Sequence, residues 1–267
     1  MDYLSELENE SIYIIREARR RFNRLALLWS MGKDSTVLLW ICRKAFLGHV
    51  PFQVIHVDTS YEFEDIYRYR AQLAQEWGFD LVIRRNEAAL SAGMGRPAYE
   101  MLTCCNALKT EALKQAIRDL RLEAVLLGIR RDEHGIRAKE RYFSPRESES
   151  RWNFNSQPPE LWDLYGSAAD PVEHFRIHPL LHMTELDIWE YIKRENIPVA
   201  ELYFARAGKR YRSIGCRTCC HPIDSQATSV DDILHEIRTP ASAERSGRMH
   251  EEESAYLMQK LRSLGYM

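Results

Sequence analysis

The chain has 267 residues, 45% hydrophobic and 28% charged, with a formal net charge of −2. That length supports one sizeable core, or a core with a smaller second lobe. The near-neutral balance excludes a global electrostatic pull toward nucleic acid, and no apolar run reaches the ~20 residues a membrane-spanning helix needs. The acidic opening Met1-Asp2-Tyr3-Leu4-Ser5-Glu6 has no signal-peptide core, so a cytoplasmic location is expected.

Leu4, Leu7, Ile14, Ile15, Ala18 and Phe22 have the spacing of an amphipathic first helix. Strands and helices then alternate. Leu25–Trp29 reads as a buried strand and Asp34–Phe46 as a helix. Phe52–Val57 reads as a strand, Phe63–Trp77 as a helix and Leu81–Ile83 as a short strand. Leu108, Leu113, Ala116, Ile117 and Leu120 mark a further helix before a strand at Ala124–Leu127. This rhythm predicts an α/β fold: a doubly wound, mostly parallel sheet flanked by helices, with a C-terminal helical and loop-rich portion. Residues 1–175 are expected to form the sheet domain, including a basic lid at 130–170 where periodicity fades. Residues 176–267 are expected to pack on the same core. Thr184-Glu185-Leu186-Asp187 opens a helix through Glu195, and the stretch from Ser229 onward reads as helical with a break near Thr239-Pro240.

Between the first strand and its helix lies Ser30-Met31-Gly32-Lys33-Asp34-Ser35-Thr36. A helix N-terminus offers unpaired N–H groups and a partial positive charge, so such a turn is suited to phosphate. Lys33 and the hydroxyls of Ser30, Ser35 and Thr36 add to this. The Gly-x-x-x-x-Gly-Lys spacing of the usual P-loop is absent. Ligands of parallel sheets bind beyond the carboxyl ends of the strands. The turn, Asp58 and Arg130 all follow strands and should converge there.

Basic residues cluster at Arg130, Arg131, Arg137, Lys139, Arg141, Arg146 and Arg151, and again at Lys209, Arg210, Arg212 and Arg217. In a nearly neutral chain such clusters point to an anionic ligand. Of the six cysteines, Cys42 falls on the apolar face of a core helix. Cys104 and Cys105 are adjacent, and Cys216-Arg217-Thr218-Cys219-Cys220 follows much later.

Ser30-Met31-Gly32-Lys33-Asp34-Ser35 resembles the PP-loop of the N-type ATP pyrophosphatases, whose usual form is Ser-Gly-Gly-Lys-Asp-Ser; Met31 replaces the first glycine. His56-Val57-Asp58-Thr59, Gly128-Ile129-Arg130-Arg131-Asp132-Glu133, Arg137-Ala138-Lys139-Glu140-Arg141, Glu244-Arg245-Ser246-Gly247-Arg248 and Gly265-Tyr266 resemble the sulfate adenylyltransferase small-subunit branch. From about residue 20 onward the chain is thus similar to the PP-loop superfamily that includes the phosphoadenylyl-sulfate reductases. The resemblance implies an adenine nucleotide alpha hydrolase-like fold and cleavage of ATP between its α- and β-phosphates. Ser30, Gly32, Lys33, Asp34, Ser35 and Thr36 would cradle the leaving pyrophosphate. Arg130, Arg131, Arg245 and Arg248 would neutralise charge in the transition state. Asp58 would contact adenosine or Mg²⁺, or simply cap its strand end.

The cysteines resemble instead the ligands of iron–sulfur adenylyl-sulfate reductases. By that resemblance Cys104, Cys105, Cys216 and Cys219 would hold a [4Fe–4S] cluster, with zinc as the rival metal and Cys220 as a fifth candidate. No cysteine follows Cys220, so the nucleophilic tail of those reductases is missing. The combination resembles the ATP pyrophosphatase components of DNA phosphorothioation systems of the Ssp and Dnd types. That implies DNA as substrate and a cysteine desulfurase as sulfur donor. The alternative is a sulfate adenylyltransferase small subunit with a GTPase large-subunit partner. Two other readings are an iron–sulfur reductase-like enzyme and a nucleotide-binding scaffold that does not turn over.

Overall fold

The computed structural model describes residues 2–155, 157–160, 162, 165 and 172–239. Helix α1 (Tyr3–Arg21) precedes β1 (Leu25–Leu28), α2 (Lys33–Ala45), β2 (Gln53–Val57), α3 (Glu64–Trp77) and β3 (Leu81–Arg84). Short helices α4 (Glu87–Ser91) and α5 (Met101–Cys105) run into a π-helical turn, Asn106–Glu111, and then α6 (Ala112–Asp119). β4 (Ala124–Leu126), β5 (Phe143–Arg146) and β6 (His174–Ile177) follow. The last elements are α7 (Glu185–Glu195), the short strands β7 (Lys209–Arg210) and β8 (Ile223–Asp224), and α8 (Val230–Arg238).

Six strands form one sheet in the order β3-β2-β1-β4-β6-β5, with a separate β7-β8 pair. All pairings in the large sheet are parallel except β5 with β6. The doubly wound, mostly parallel fold is therefore as expected. β1 and β4 are buried along their whole length, which is why they read as continuous apolar runs. One core cluster lies around α1, α2, α7 and α8, joining Ile14, Leu38, Trp189 and Leu234. The other, with Ala26, Ile55, Leu113 and Val125, lies beneath α6. Residues from the first 175 positions and from those after share the larger cluster.

The segment expected to be a lid contains two features missed in the sequence. Its middle, β5, joins the sheet as an antiparallel edge, with Phe143 opposite Ile177 and Arg146 opposite His174. Three of its basic residues, Arg130, Arg137 and Arg146, are buried. Arg146 is 2% exposed and pairs with the equally buried Glu140 at 2.9 Å. The strand was hidden because Phe143-Ser144-Pro145-Arg146 carries a proline and an arginine, residues that read as loop. An edge strand tolerates the proline, and the buried carboxylate holds the arginine.

α7 and α8 start as expected. Each has a full capping box: Thr184 with Asp187, and Ser229 with Asp232. Residues beyond Thr239, with Arg245, Arg248, Gly265 and Tyr266, lie outside the described residues.

Candidate active site

β1 delivers the Ser30–Thr36 turn to the carboxyl edge of the sheet. Met31 takes a left-handed backbone conformation, φ 58°, where glycine is the easier residue. Its side chain is buried, only 1% exposed, so apolar burial offsets strain of roughly 1–3 kcal/mol. Gly32 precedes α2 in extended conformation and gives no side-chain cap. Ser35 Oγ accepts from the Ser30 N–H at 3.2 Å and donates to the Gly32 carbonyl at 3.1 Å. These bonds close the turn on itself.

A cavity of about 1070 Å³, counting its open mouth, lies over this turn. Ser30, Gly32, Lys33, Asp34 and Ser35 line one side. His56, Glu62, Lys109, Arg137 and Tyr203 are on other walls, together with the Ser213–Gly215 stretch. Lys33 is 2% exposed, and its Nζ donates to Asp34 Oδ2 at 3.0 Å. The other Asp34 oxygen takes the Arg130 guanidinium. Asp34 thus holds the two cations together at the start of α2. Arg130 Nε also meets Asp132 Oδ1 at 2.9 Å, and the Arg130 N–H donates to Glu133 Oε2 at 2.9 Å. Asp132 in turn accepts from the Glu185 N–H of α7 at 2.7 Å, and Glu133 pairs with Arg137. The arginine segment after β4 is therefore a built ion-pair network.

The named residues divide clearly in position. Ser30, Gly32, Lys33, Asp34 and Ser35 line the cavity; Thr36 does not. Its hydroxyl lies in the core, accepting from Trp29 Nε1 at 3.1 Å and Tyr69 OH at 3.3 Å. Asp58 is fully buried beside the cavity rather than on its wall. It accepts from Arg85, Arg70, Tyr67 OH and the Ser60 N–H. Burial opposes its charge, yet the Arg85 and Ser60 bonds prevail and hold its pKa down at about 2. Arg130 sits behind Asp34, and the Arg131 guanidinium stacks over the Tyr142 ring at 4.9 Å.

Several wall residues were not singled out from the sequence. His56 is 2% exposed and its pKa is pulled down to about 4 by burial, so it is neutral at pH 7. Its Nδ1 lies 3.2 Å from the Trp29 carbonyl, which can only accept; Nε2 is left as an acceptor. It stands within β2, and its place in the His56-Val57-Asp58-Thr59 motif was the available signal. Tyr203 and Lys109 arrive from distant segments and carried none.

Cys104, Cys105, Cys216 and Cys219 are brought together. All four line a second cavity of about 250 Å³, with Thr59, Lys109 and Thr218 on its walls. Lys109 lines both cavities. Thr59 Oγ1 and Cys216 Sγ are 3.2 Å apart. Burial pushes the Cys105 thiol up to about 12 and raises Cys104 and Cys219. Among the described residues no three His, Cys, Asp or Glu side chains stand close enough together to hold a single metal ion. Cys42 stands apart, its thiol raised by full burial.

Residues 24–222 match the family described as the phosphoadenosine phosphosulfate reductase domain. The whole chain is 38% identical to sulfate adenylyltransferase subunit 2 of Hahella chejuensis, covering 98% of that relative. It is equally similar, 38% with the same coverage, to the protein of that name from Shewanella amazonensis. Among solved structures, Candida auris phosphoadenylyl-sulfate reductase matches with a TM-score of 0.57 and 18% identity, over 81% of this chain and 96% of that one. Candida glabrata FMN adenylyltransferase in complex with ATP matches at 0.58 and 17%, over 98% and 83%. These two show the shared fold.

The full-length relatives overturn the expectation of a DNA phosphorothioation component, because similarity runs across the whole chain to proteins named for sulfate adenylylation. The basic segments expected to guide DNA also have another use. Arg130, Arg137, Arg146, Arg210 and Arg212 are each paired with a carboxylate of the same chain. The chain belongs to the phosphoadenosine phosphosulfate reductase domain family and, within it, to the family of the sulfate adenylyltransferase subunit 2 proteins.

Proposed function

We propose that this protein transfers the adenylyl group of ATP to sulfate, as the small subunit of a sulfate adenylyltransferase. The observation that carries this reading is the identity of 36–38% across the whole chain to proteins of that name. The cavity over the turn is suited to the substrate. Ser30, Gly32, Lys33 and Ser35 receive the β- and γ-phosphates of ATP. A sulfate oxygen attacks the α-phosphorus, a new O–P bond forms, and the bond to the bridging oxygen breaks. Pyrophosphate leaves with that electron pair. Catalysis here is positioning and electrostatics. Lys33 and Arg130, held by Asp34, stabilise the charge on the leaving group. Arg245 and Arg248 are proposed to complete this role, and a GTPase large subunit to be the partner.

The test is pyrophosphate release from ATP with and without sulfate, alone and with the large subunit. Sulfate is expected to raise the rate and yield adenylyl sulfate. Release that is indifferent to sulfate overturns the reading.

We infer further that Cys104, Cys105, Cys216 and Cys219 are the ligand set for a [4Fe–4S] cluster, which would supply electron-transfer or sulfur-handling chemistry when bound. Support comes from four buried thiols on one cavity. Cys216→Ser keeps a partner for Thr59 but removes one thiolate. Bound iron and acid-labile sulfide are expected to be stoichiometric in the parent protein, prepared without oxygen, and to fall to background in the variant. Unchanged iron in the variant, or zinc alone in the parent, overturns the assignment.

A further inference from the structure

Gly32 has no side chain to cap α2, so the first-turn N–H groups need acceptors from elsewhere. One comes from a segment 170 positions away. The Tyr203 hydroxyl accepts a 2.9 Å hydrogen bond from the Lys33 N–H. Tyr203 ends a short turn, Glu201–Tyr203, and is only 2% exposed. Its ring is held edge-on against Trp189, with centroids 5.4 Å apart. A Cβ added at Gly32 would lie 3.6 Å from this hydroxyl and 3.4 Å from Ser30 Oγ. The phenol oxygen therefore sits in the concavity of the turn, on the cavity wall. An N–H at this position is one that an anion-binding helix start offers to its ligand.

We propose that the Tyr203 hydroxyl is an internal competitor for the pyrophosphate part of the nucleotide. It takes the Lys33 N–H when the cavity is empty, yields it to a phosphate oxygen, and retakes it as pyrophosphate leaves. This rests on the reading of the cavity as the ATP site. A phosphate oxyanion is a stronger acceptor than a neutral hydroxyl, so the anion displaces it when present. On departure the hydroxyl spares the buried N–H from being left without an acceptor. Tyr203 is thus a positioning residue that acts through the Lys33 amide and favours product release.

The experiment uses the full chain and inorganic pyrophosphate, with Tyr203→Phe. The ring and its packing stay, and only the competing oxygen goes. Calorimetry is expected to show roughly three- to tenfold tighter pyrophosphate binding in the variant. In turnover, kcat falls while KM for ATP does not rise. A purely structural role would instead weaken binding and raise KM. Equal or weaker pyrophosphate binding by the folded variant overturns the proposal. Absence of ATP and pyrophosphate binding in the parent protein overturns the ATP reading instead. A second measurement does not depend on turnover. Exchange of the Lys33 amide proton, followed by NMR, is expected to be slow in the ligand-free parent and fast in ligand-free Tyr203→Phe. It should be slow in both with pyrophosphate bound. Slow exchange in the ligand-free variant contradicts the competition.

Discussion

Lys33→Ala is expected to cut pyrophosphate release from ATP severely while leaving the fold intact. Lys33 is the one lysine in the turn, and its Nζ is tied to Asp34 at 3.0 Å at the start of α2. In the proposed reaction this buried ammonium faces the leaving group, where it is worth far more than in water because little solvent screens it. The expected loss is on the order of 10²–10³-fold in rate. Stability should change little, because Asp34 keeps Arg130 as its counter-ion and its charge is not left alone. The measurement is pyrophosphate release under saturating ATP, with thermal unfolding as the control. Normal turnover would remove Lys33 from the mechanism.

Gly128→Ala is expected to damage both stability and activity, although the change adds a single methyl group. Gly128 follows β4 where the strand end passes under the start of α2. A Cβ there would lie 2.9 Å from the Asp34 carbonyl carbon and oxygen and from Ser35 Cα. All three are backbone atoms at the start of α2, so no side chain can rotate aside. Either the helix start or the strand end must move, at a cost of about 1–3 kcal/mol. A displacement of even part of an ångström carries Lys33 and the Ser35 hydroxyl with it. Pyrophosphate release should fall on the order of a hundredfold. Gly135→Ala is the matched control. A Cβ at that position meets nothing within 4 Å, so its activity should equal that of the parent. Parental melting temperature and rate in Gly128→Ala would show that the turn adapts and that the close approach carries no functional constraint.

The same close approach shows how much of the site was legible beforehand. Glycine after β4 was visible in the Gly128-Ile129-Arg130-Arg131 signature, but nothing local says that it must pass beneath Asp34. That requirement comes from the β1–β4 pairing, which sets Leu27 opposite Leu126. Thr36 and Asp58 make the complementary point. Both have the chemistry of phosphate or metal ligands, and both lie close to the turn in sequence or topology. Thr36 falls one helical position past the N–H groups that face the cavity, so its hydroxyl turns into the core beneath Trp29. Asp58 is claimed by Arg70 and Arg85, which reach it from α3 and from just after β3. Basic residues likewise announced anion binding, whereas Arg130, Arg137, Arg146, Arg210 and Arg212 are paired with carboxylates of the same chain.

Local patterns by themselves determined the alternating βα architecture, the strand-to-helix turn at Ser30–Thr36, and the helix starts at Thr184 and Ser229. Each depends on interactions between neighbours in the chain: apolar periodicity, a cap reaching three residues on, or N–H groups exposed at a helix start. Tertiary structure alone decided which of the named groups face the cavity. It also placed β5 on the sheet edge, set the Tyr203 hydroxyl against the Lys33 amide, and gathered Cys104 and Cys105 with Cys216 and Cys219 around one cavity. Those outcomes depend on partners more than a hundred residues apart or on strand register, and a side chain's type does not reveal which distant partner will occupy it.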